Sequence, residues 1–219
     1  MKTTALKMLG MTAMVALSLT ACQKEFKGGE KVDKGEVIKV EGVKYLIDPS
    51  SFKDDGTSNI FFTGSKVSGT HSGSFPVFTG LVTIPEGDFS KGSLVIDIDL
   101  TGMTSDDMDL TDTLKGVKMF DIANHPKGKF EATSIAPIEG KTDQYEVTGN
   151  LTLKNNTSGV KFNATVKVKD TSLSAETTSF VINRKDFGID YDGKLDDLIH
   201  DNVKLTFYVE AFVEAQATQ

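Results

Sequence analysis

From residue 43 onward, apolar and polar positions alternate along the chain with a period of two. The alternation is clearest in residues 94–100, 145–154, 161–169 and 203–211. In each segment, most of the odd or most of the even positions are aliphatic or aromatic, and the positions between them are mainly charged or hydroxyl-bearing. This pattern is typical of antiparallel strands with one face in a core and the other in water.

Weaker strand patterns occur in residues 44–48, 59–63, 74–84, 129–135 and 179–183. Residues 155–159, with the sequence NNTSG, are rich in turn formers and predict a hairpin between the strands on either side. Eight or nine strands joined by short turns predict an all-β domain. Either an up-and-down barrel or a sandwich fits this pattern.

One segment, at about residues 105–118, has a helical pattern instead. Ser105 is predicted to cap its N-terminus. An apolar stripe follows at helical spacing. It consists of Leu110, Leu114 and Val117. Such a helix either closes one end of a barrel or packs outside it. A second, shorter helical turn is predicted around residues 195–199.

The N-terminus has the pattern of a bacterial lipoprotein signal. Lys2 and Lys7 precede an apolar run at 8–19, and small residues then lead to Cys22, the only cysteine in the chain. This order predicts cleavage after residue 21 and acylation of the Cys22 thiol. The apolar run is shorter than the roughly 20 residues that span a bilayer.

The predicted organisation has three parts. Residues 1–21 form the signal peptide, residues 22–42 the lipidated cysteine with a flexible linker, and residues 43–214 the β-domain. The linker is predicted from glycines among alternating charges. Residues 23–25, QKE, resemble a signal that some Bacteroidetes lipoproteins use to reach the cell surface. We therefore expect an exported protein, held by lipid on the periplasmic side of the outer membrane or on the cell surface.

Composition narrows the function. A net charge of −7 argues against a nucleic-acid partner. The three histidines lack metal-site spacing, and the sequence contains no nucleophile elbow and no phosphate loop. We therefore predict no catalytic residues, no metal and no enzyme activity. The chain has 14 phenylalanines and no tryptophan, which fits either a solid core or an apolar cavity. Periodicity alone does not distinguish these two interiors, and the oligomeric state stays open.

Six sequence blocks within about residues 45–211 carry a further signal. The blocks are YLIDP at 45–49, GSKVSGTHSGSF at 64–75, LKGVKMFD at 114–121, HPKGKFEAT at 125–133, YEVTGNLTLK at 145–154 and FVINRKDFG at 180–188. Together, and in this order, they resemble the YceI-like family.

This resemblance implies an extended, lipocalin-like antiparallel barrel, partly closed by a helix. It also implies a long apolar cavity for a polyisoprenoid, such as a polyprenyl lipid or an isoprenoid quinone, and no other cofactor. The chain departs from the family at Asn155 and Asn156, which replace a glycine-rich turn, and at Thr113, Lys118 and Met119, near the expected opening of the cavity. The three changes near the opening affect the expected head group of the ligand and leave the expected fold unchanged.

We therefore expect an apolar lipid as the partner, bound by a cavity wall of strand and helix residues. The predicted wall consists of Phe62, Phe75, Ile96, Ile98, Leu114, Met119, Phe120, Phe130, Leu151, Leu153, Phe162, Phe180, Ile182 and Phe207. His71 and Arg184 are candidate head-group contacts, and Arg184 is alternatively an ion-pair partner of Asp186 or Asp190. The alternative functions are a solid-cored surface interaction module and an enzyme acting on lipid or glycan.

Overall fold

The computed structural model describes residues 25–47 and 58–214, and most of these residues lie in one antiparallel sheet. In chain order the strands are β1 Val43–Ile47, β2 Asn59–Lys66, β3 Gly69–Phe75, β4 Phe78–Ile84, β5 Ser93–Asp99, β6 Thr104–Ser105, β7 Lys127–Pro137, β8 Gln144–Leu153, β9 Asn156–Val168, β10 Ser172–Thr177, β11 Phe180–Asn183, β12 Gly193–Lys194, β13 Asp197–Leu198 and β14 Asn202–Val213. The α-helix, α1, is Met108–Lys115, and 3-10 turns occur at Pro85–Gly87, Phe89–Lys91, Leu100–Gly102 and Arg184–Phe187.

Eight of these strands close into a barrel in the order β1, β4, β5, β7, β8, β9, β10 and β14, after which β14 pairs again with β1. This confirms the prediction of an all-β barrel of about eight strands with one short helix. Within the described residues, no helix has the length and apolar character needed to cross a bilayer.

The long strand β14 divides the barrel into two ends. Its C-terminal half pairs with β1 and β10. Its N-terminal half pairs instead with β2 on one side and β11 on the other. The β2–β3 hairpin and β6 therefore extend the sheet at one end only. We call this the mouth end, because the cavity described below opens there.

Two turns differ from their predicted positions. The β8–β9 hairpin turns at Lys154 and Asn155 alone, with φ of 46° and 61°. Two successive left-handed residues fit a tight hairpin turn, so the predicted five-residue turn at 155–159 was too long. Residues 74–84, predicted as one strand, contain the end of β3 and all of β4. The chain breaks at Pro76, which has no N–H to donate to a ladder.

The helix begins later than predicted. Asp107 is its N-cap, because the Asp107 side chain accepts a hydrogen bond from Leu110 N at 2.9 Å. Ser105 instead ends β6. The helix stops at Lys115, so Val117 leaves the predicted apolar stripe and is 72 % exposed. The predicted second helical turn is also wrong, because Leu195 lies in the turn of the β12–β13 hairpin.

Residues 25–42, which we call the strap, lie against the outside of the barrel. Gly35 and Asn150 exchange two hydrogen bonds, Gly35 N to Asn150 Oδ1 at 3.1 Å and Asn150 Nδ2 to Gly35 O at 2.9 Å. Ile38 N donates to Ala132 O at 3.1 Å. The prediction of a flexible linker is therefore wrong for this described part of residues 22–42.

The strap glycines allow close approach to the sheet. A Cβ on Gly29 would overlap the carbonyl oxygen of Val181. On the barrel side, a Cβ on Gly159 would overlap the carbonyl oxygen of Val32, which forms a bridge with Gly159. Glycine in this segment therefore permits backbone contact, although its frequency in the sequence suggested a mobile chain.

Candidate ligand-binding cavity

An apolar cavity of about 480 Å³ lies inside the barrel at the mouth end. This volume is typical of small-molecule sites in proteins. Ten of the fourteen predicted wall residues line it. They are Phe62, Phe75, Ile98, Leu114, Met119, Phe120, Leu151, Leu153, Ile182 and Phe207. The structure thus brings these residues around one space, and their role in binding stays a prediction.

The other four predicted wall residues lie away from this space. Ile96 and Phe162 border a separate void of only about 40 Å³, which lies deeper in the barrel. Phe130 and Phe180 pack against Phe162 with ring centroids 5.5 and 4.7 Å away. These four side chains point inward as predicted. Alternation identifies the inward face of a strand but not how far the open space extends along the barrel.

Phe130, Phe162, Phe180 and Phe207 together form what we call the aromatic floor. Phe207 lies 5.8 Å from Phe162 and 5.5 Å from Phe180 between centroids, with edge-to-face geometry in both pairs. Phe207 also borders both the large cavity and the small void. The floor therefore lies between the two spaces.

Helix α1 and the segment after it cover part of the mouth. Leu110 and Leu114 line the cavity from the helix. Phe120 N donates to Leu114 O at 3.0 Å, and the Phe120 ring packs on Phe75 at 5.8 Å. The helix therefore contributes to the wall, and does not pack on the outside of the barrel.

The three departures from the family pattern near the helix end, Thr113, Lys118 and Met119, lie at this opening. Thr113 and Met119 line the cavity, and Met119 is buried. Lys118 places its Nζ 5.4 Å from the ring centroid of Tyr191, another lining residue. A methionine adapts to ligands of different shape better than a rigid aromatic ring does. Two of these three residues therefore line the cavity, and the third contacts a lining residue.

Arg184 reaches the cavity wall, but its guanidinium is already engaged by the protein. Nε donates to His200 O at 3.2 Å, and Nη1 donates to Ile189 O. Nη2 lies 3.0 Å from Asp201 Oδ1 and 3.3 Å from Asp192 Oδ1. The ion-pair interpretation therefore has the geometry in its favour, with Asp192 and Asp201 as partners in place of the predicted Asp186 or Asp190.

His71 lines the opening, and its ring is also paired. Its Nδ1 lies 3.0 Å from Asp106 Oδ1, while Asp106 Oδ2 accepts a hydrogen bond from Ser72 N at 2.9 Å. The Ser72 N–H, with His71, lowers the pKa of Asp106. His71 is half-buried and remains within reach of a polar group in the opening.

Sequence reasoning missed a second polar cluster at the mouth. The β12–β13 hairpin docks on the β2–β3 turn, where Lys66 Nζ lies 2.7 Å from Asp197 Oδ2 and lowers the pKa of that carboxyl. Ser65 Oγ lies 3.0 Å from His200 Nδ1. All four residues line the cavity. The two partners in each pair are more than 130 positions apart, so no local pattern could have revealed the cluster.

Over the described ranges 25–47 and 58–214, no group of three or more His, Cys, Asp or Glu side chains could hold a metal ion. The polar residues at the mouth instead form pairs that leave the cavity interior apolar. This arrangement suits burial of a hydrocarbon with a polar group at the opening.

The chain matches known proteins both in sequence profile and in fold. The sequence profile of the YceI-like domain matches residues 45–211. BcnA of Burkholderia cenocepacia superimposes with a TM-score of 0.64 at 23% identity, covering 75% of this chain and 99% of BcnA. A polyisoprenoid-binding domain from Saccharophagus degradans, implicated in plant cell wall breakdown, gives 0.59 at 14% identity and covers 80% and 100%.

The YceI protein of Campylobacter jejuni gives a TM-score of 0.54 at 18% identity, covering 65% of this chain and 85% of that protein. At these identities the structural likeness supports the shared barrel fold. No curated protein sequence matches the chain significantly.

Proposed function

The chain belongs to the YceI-like family, and from this premise and the cavity geometry we propose that it is a membrane-anchored protein that holds an isoprenoid-type apolar ligand in its barrel. The ligand is bound by burial and is not chemically changed. Cys22, which lies outside the described residues, supplies the lipid anchor.

The observation that carries the proposal is the apolar cavity of about 480 Å³ above the aromatic floor. If each heavy atom takes the ~30 Å³ of a liquid water molecule, the cavity holds at least about 16 heavy atoms. Three isoprene units have that size. Burial of each methylene contributes about 0.8 kcal/mol, so few polar contacts are needed for stable binding.

The opening suits a ligand with a polar end. Its rim contains His71 and the Lys66–Asp197 and Ser65–His200 pairs, whereas the walls below are aliphatic and aromatic. The polyisoprenoid-binding domain of Saccharophagus degradans has the same fold, which supports an isoprenoid over another hydrocarbon. A solidly packed interaction module fits less well, because its interior would be filled.

The N-terminal sequence supports the anchor and the location. The lipoprotein signal ending at Cys22 implies export and acylation, and the QKE segment favours the outer membrane or the cell surface. Diacyl anchoring gives stable attachment, so the barrel acts as a membrane-bound holder of lipid and not as a free shuttle.

Calorimetry tests the binding proposal. We expect lipid-stripped, refolded protein to bind farnesol saturably, one molecule per barrel, with a negative change in heat capacity from apolar burial. Absence of saturable binding would overturn it. Cys22→Ser, expressed in a bacterium with lipoprotein processing, tests the anchor separately. The variant should leave the membrane fraction, and its retention there would contradict the anchor.

A further inference from the structure

The first described residues of the strap are fixed to the mouth end of the barrel. Asn202 Nδ2 donates to Phe26 O at 2.9 Å and to Glu25 Oε1 at 3.1 Å. The Lys204 ammonium lies 4.6 Å from the centroid of the Phe26 ring. Hydrogen bonds and a cation–π contact therefore hold residues 25 and 26 against the start of β14.

This attachment point is close to the cavity opening. Asn202 lies two residues after His200, which lines the cavity. It lies four residues after Leu198, which ends the β12–β13 hairpin at the rim.

From this attachment point the strap runs away from the mouth. It crosses β9 at Gly159, β8 at Asn150 and β7 at Ala132. It reaches Ile84, at the end of β4 away from the mouth, where Gly42 closely approaches the Ile84 carbonyl.

The length of the intervening chain limits the distance between the lipid anchor and the cavity mouth. Cys22 precedes Glu25 by three residues, and three extended residues span at most about 11 Å.

We propose that the strap is an orienting device, which holds the cavity mouth against the bilayer into which the Cys22 lipid inserts. This inference rests on the proposed anchor and goes beyond it, because an anchor on a flexible linker would leave the orientation of the barrel free.

A second, independent observation points to the same surface. Among the described residues, the three most exposed large apolar side chains are Leu195 at 98 %, Met108 at 85 % and Val117 at 72 %. Each is next to or near a cavity-lining residue: Leu195 follows Lys194, Met108 lies between Asp107 and Asp109, and Val117 precedes Met119 by two positions. We call these three residues the apolar rim.

The apolar rim fits the interface of a bilayer with little anionic lipid. Exposed apolar side chains grouped around an opening mark an interaction surface, whereas single ones are ordinary. Asp107, Asp109 and Asp197 share the opening with Lys66 and Lys194, and the chain carries −7 overall. Attraction to negatively charged lipid therefore does not drive the binding of this surface to the bilayer. Insertion of the rim side chains drives it.

Site-specific fluorescence quenching tests the orientation in the full-length, acylated protein. Acylation consumes the Cys22 thiol, so an introduced cysteine becomes the single labelling site. Asp196→Cys places a fluorophore beside Leu195 in the rim hairpin. Thr142→Cys places the same fluorophore in the exposed β7–β8 turn at the opposite end. The protein is reconstituted in phosphatidylcholine–phosphatidylethanolamine vesicles that carry nitroxide on some headgroups.

We expect quenching at position 196 to be several-fold stronger than at position 142. Equal quenching on protein that remains vesicle-bound would overturn the orientation while leaving the anchored function intact. Failure of the acylated protein to stay on vesicles would overturn the anchor, and the orientation with it.

A strap variant tests the cause of the orientation. Gly29→Val forces a side chain into the Val181 carbonyl and should lift the strap, whereas Gly69→Val adds a side chain where the glycine has open space. The first variant should abolish the difference between positions 196 and 142 without release from vesicles, and the second should keep it. Persistence of the difference in Gly29→Val combined with Asn202→Ala would overturn the role of the strap.

Discussion

Phe162 and Phe180 stack with ring centroids 4.7 Å apart and an interplanar angle of 25°, which closes the barrel between its two internal spaces. Phe207 meets both rings edge-on and borders both spaces. The barrel is therefore hollow toward the mouth and nearly solid beyond the floor. Under the proposed function, we expect these three aromatic contacts, and not the length of the barrel, to limit how deeply a ligand enters.

Removing one ring of the floor should lengthen the accessible cavity. Phe207→Ala joins the 480 Å³ cavity to the 40 Å³ void and adds the space of the lost ring. We expect the ratio of geranylgeraniol to farnesol affinity to rise, measured by calorimetry. The variant should also lose about 3–5 kcal/mol of unfolding free energy, because Phe207 is buried.

Phe78→Ala is the matched control for the floor. Phe78 is 1% exposed, so Phe78→Ala should lower the unfolding free energy by a similar amount, but Phe78 lines neither space. The ratio of geranylgeraniol to farnesol affinity in Phe78→Ala should match that of the wild type. An unchanged preference in Phe207→Ala, or an equal change in Phe78→Ala, would contradict the assignment of the floor.

A polar group in the cavity wall should weaken binding. Ile98→Asn places an amide among apolar groups that the ligand must cover, so the amide loses water without gaining a partner. We expect at least about a tenfold loss of farnesol affinity, equal to 1.4 kcal/mol. Val95→Asn changes the outward face of the same strand and should leave affinity unchanged. If both variants bind like the wild type, Ile98 is not part of the binding site.

Substitution of Arg184 should lower the unfolding free energy more than it lowers ligand affinity. Its side chain is 4% exposed and bridges Asp192 and Asp201 while donating to backbone carbonyls. Arg184→Gln leaves buried acceptors unpaired and should cost about 3–5 kcal/mol in denaturant unfolding.

Lys185 offers the control for that prediction. It contacts the same two carboxylates from an exposed position, at 3.0 and 3.2 Å. Lys185→Gln should lower the unfolding free energy much less than Arg184→Gln does, because a solvent-exposed ion pair contributes little to stability. If Arg184→Gln kept full stability and lost affinity for isoprenoids with charged head groups, Arg184 would contact the ligand after all.

Asp99 should contribute stability that disappears in acid. Thr101 Oγ1 donates to it at 2.6 Å, and Lys127 Nζ lies 3.0 Å away. These contacts lower the pKa of Asp99 from 3.8 to about 2. Folded protein therefore binds fewer protons here than the unfolded chain, so the stabilisation is present above about pH 4 and is lost as pH falls toward about 2.

The measurement is the unfolding free energy of Asp99→Asn against pH. The variant should be less stable than the wild type by about 1 kcal/mol at pH 7, and the gap should close between about pH 4 and about pH 2. Asp170→Asn, at an exposed turn position, should show little difference at either pH. A gap for Asp99→Asn that stays constant down to pH 2 would contradict the lowered pKa.

Strict alternation predicted the strands that bury a large apolar face, such as residues 94–100 and 203–211. It missed β10, Ser172–Thr177, where small and polar residues hide the period. It also merged β3 with β4, because residues 69–75 are mostly glycine, serine and threonine. These strands form because neighbouring strands supply hydrogen-bonding partners, and a single-segment pattern does not contain that information.

The residues of the cavity could likewise be predicted only in part. Inward-facing residues such as Ile98 and Leu151 were identified, because the period fixes the face. Their division into cavity and floor depended on ring contacts between Phe162, Phe180 and Phe207, which come from distant strands. The strap was mistaken for a linker, because glycine has the same appearance in a sequence whether it allows motion or close contact.

Native mass spectrometry of the protein isolated from the membranes of a cell that makes it tests the central claim most directly. The proposed function predicts one apolar isoprenoid lipid per barrel, lost on organic extraction and reduced in Ile98→Asn but not in Val95→Asn. A folded, acylated protein that is consistently lipid-free, and that binds no added isoprenoid, would contradict it.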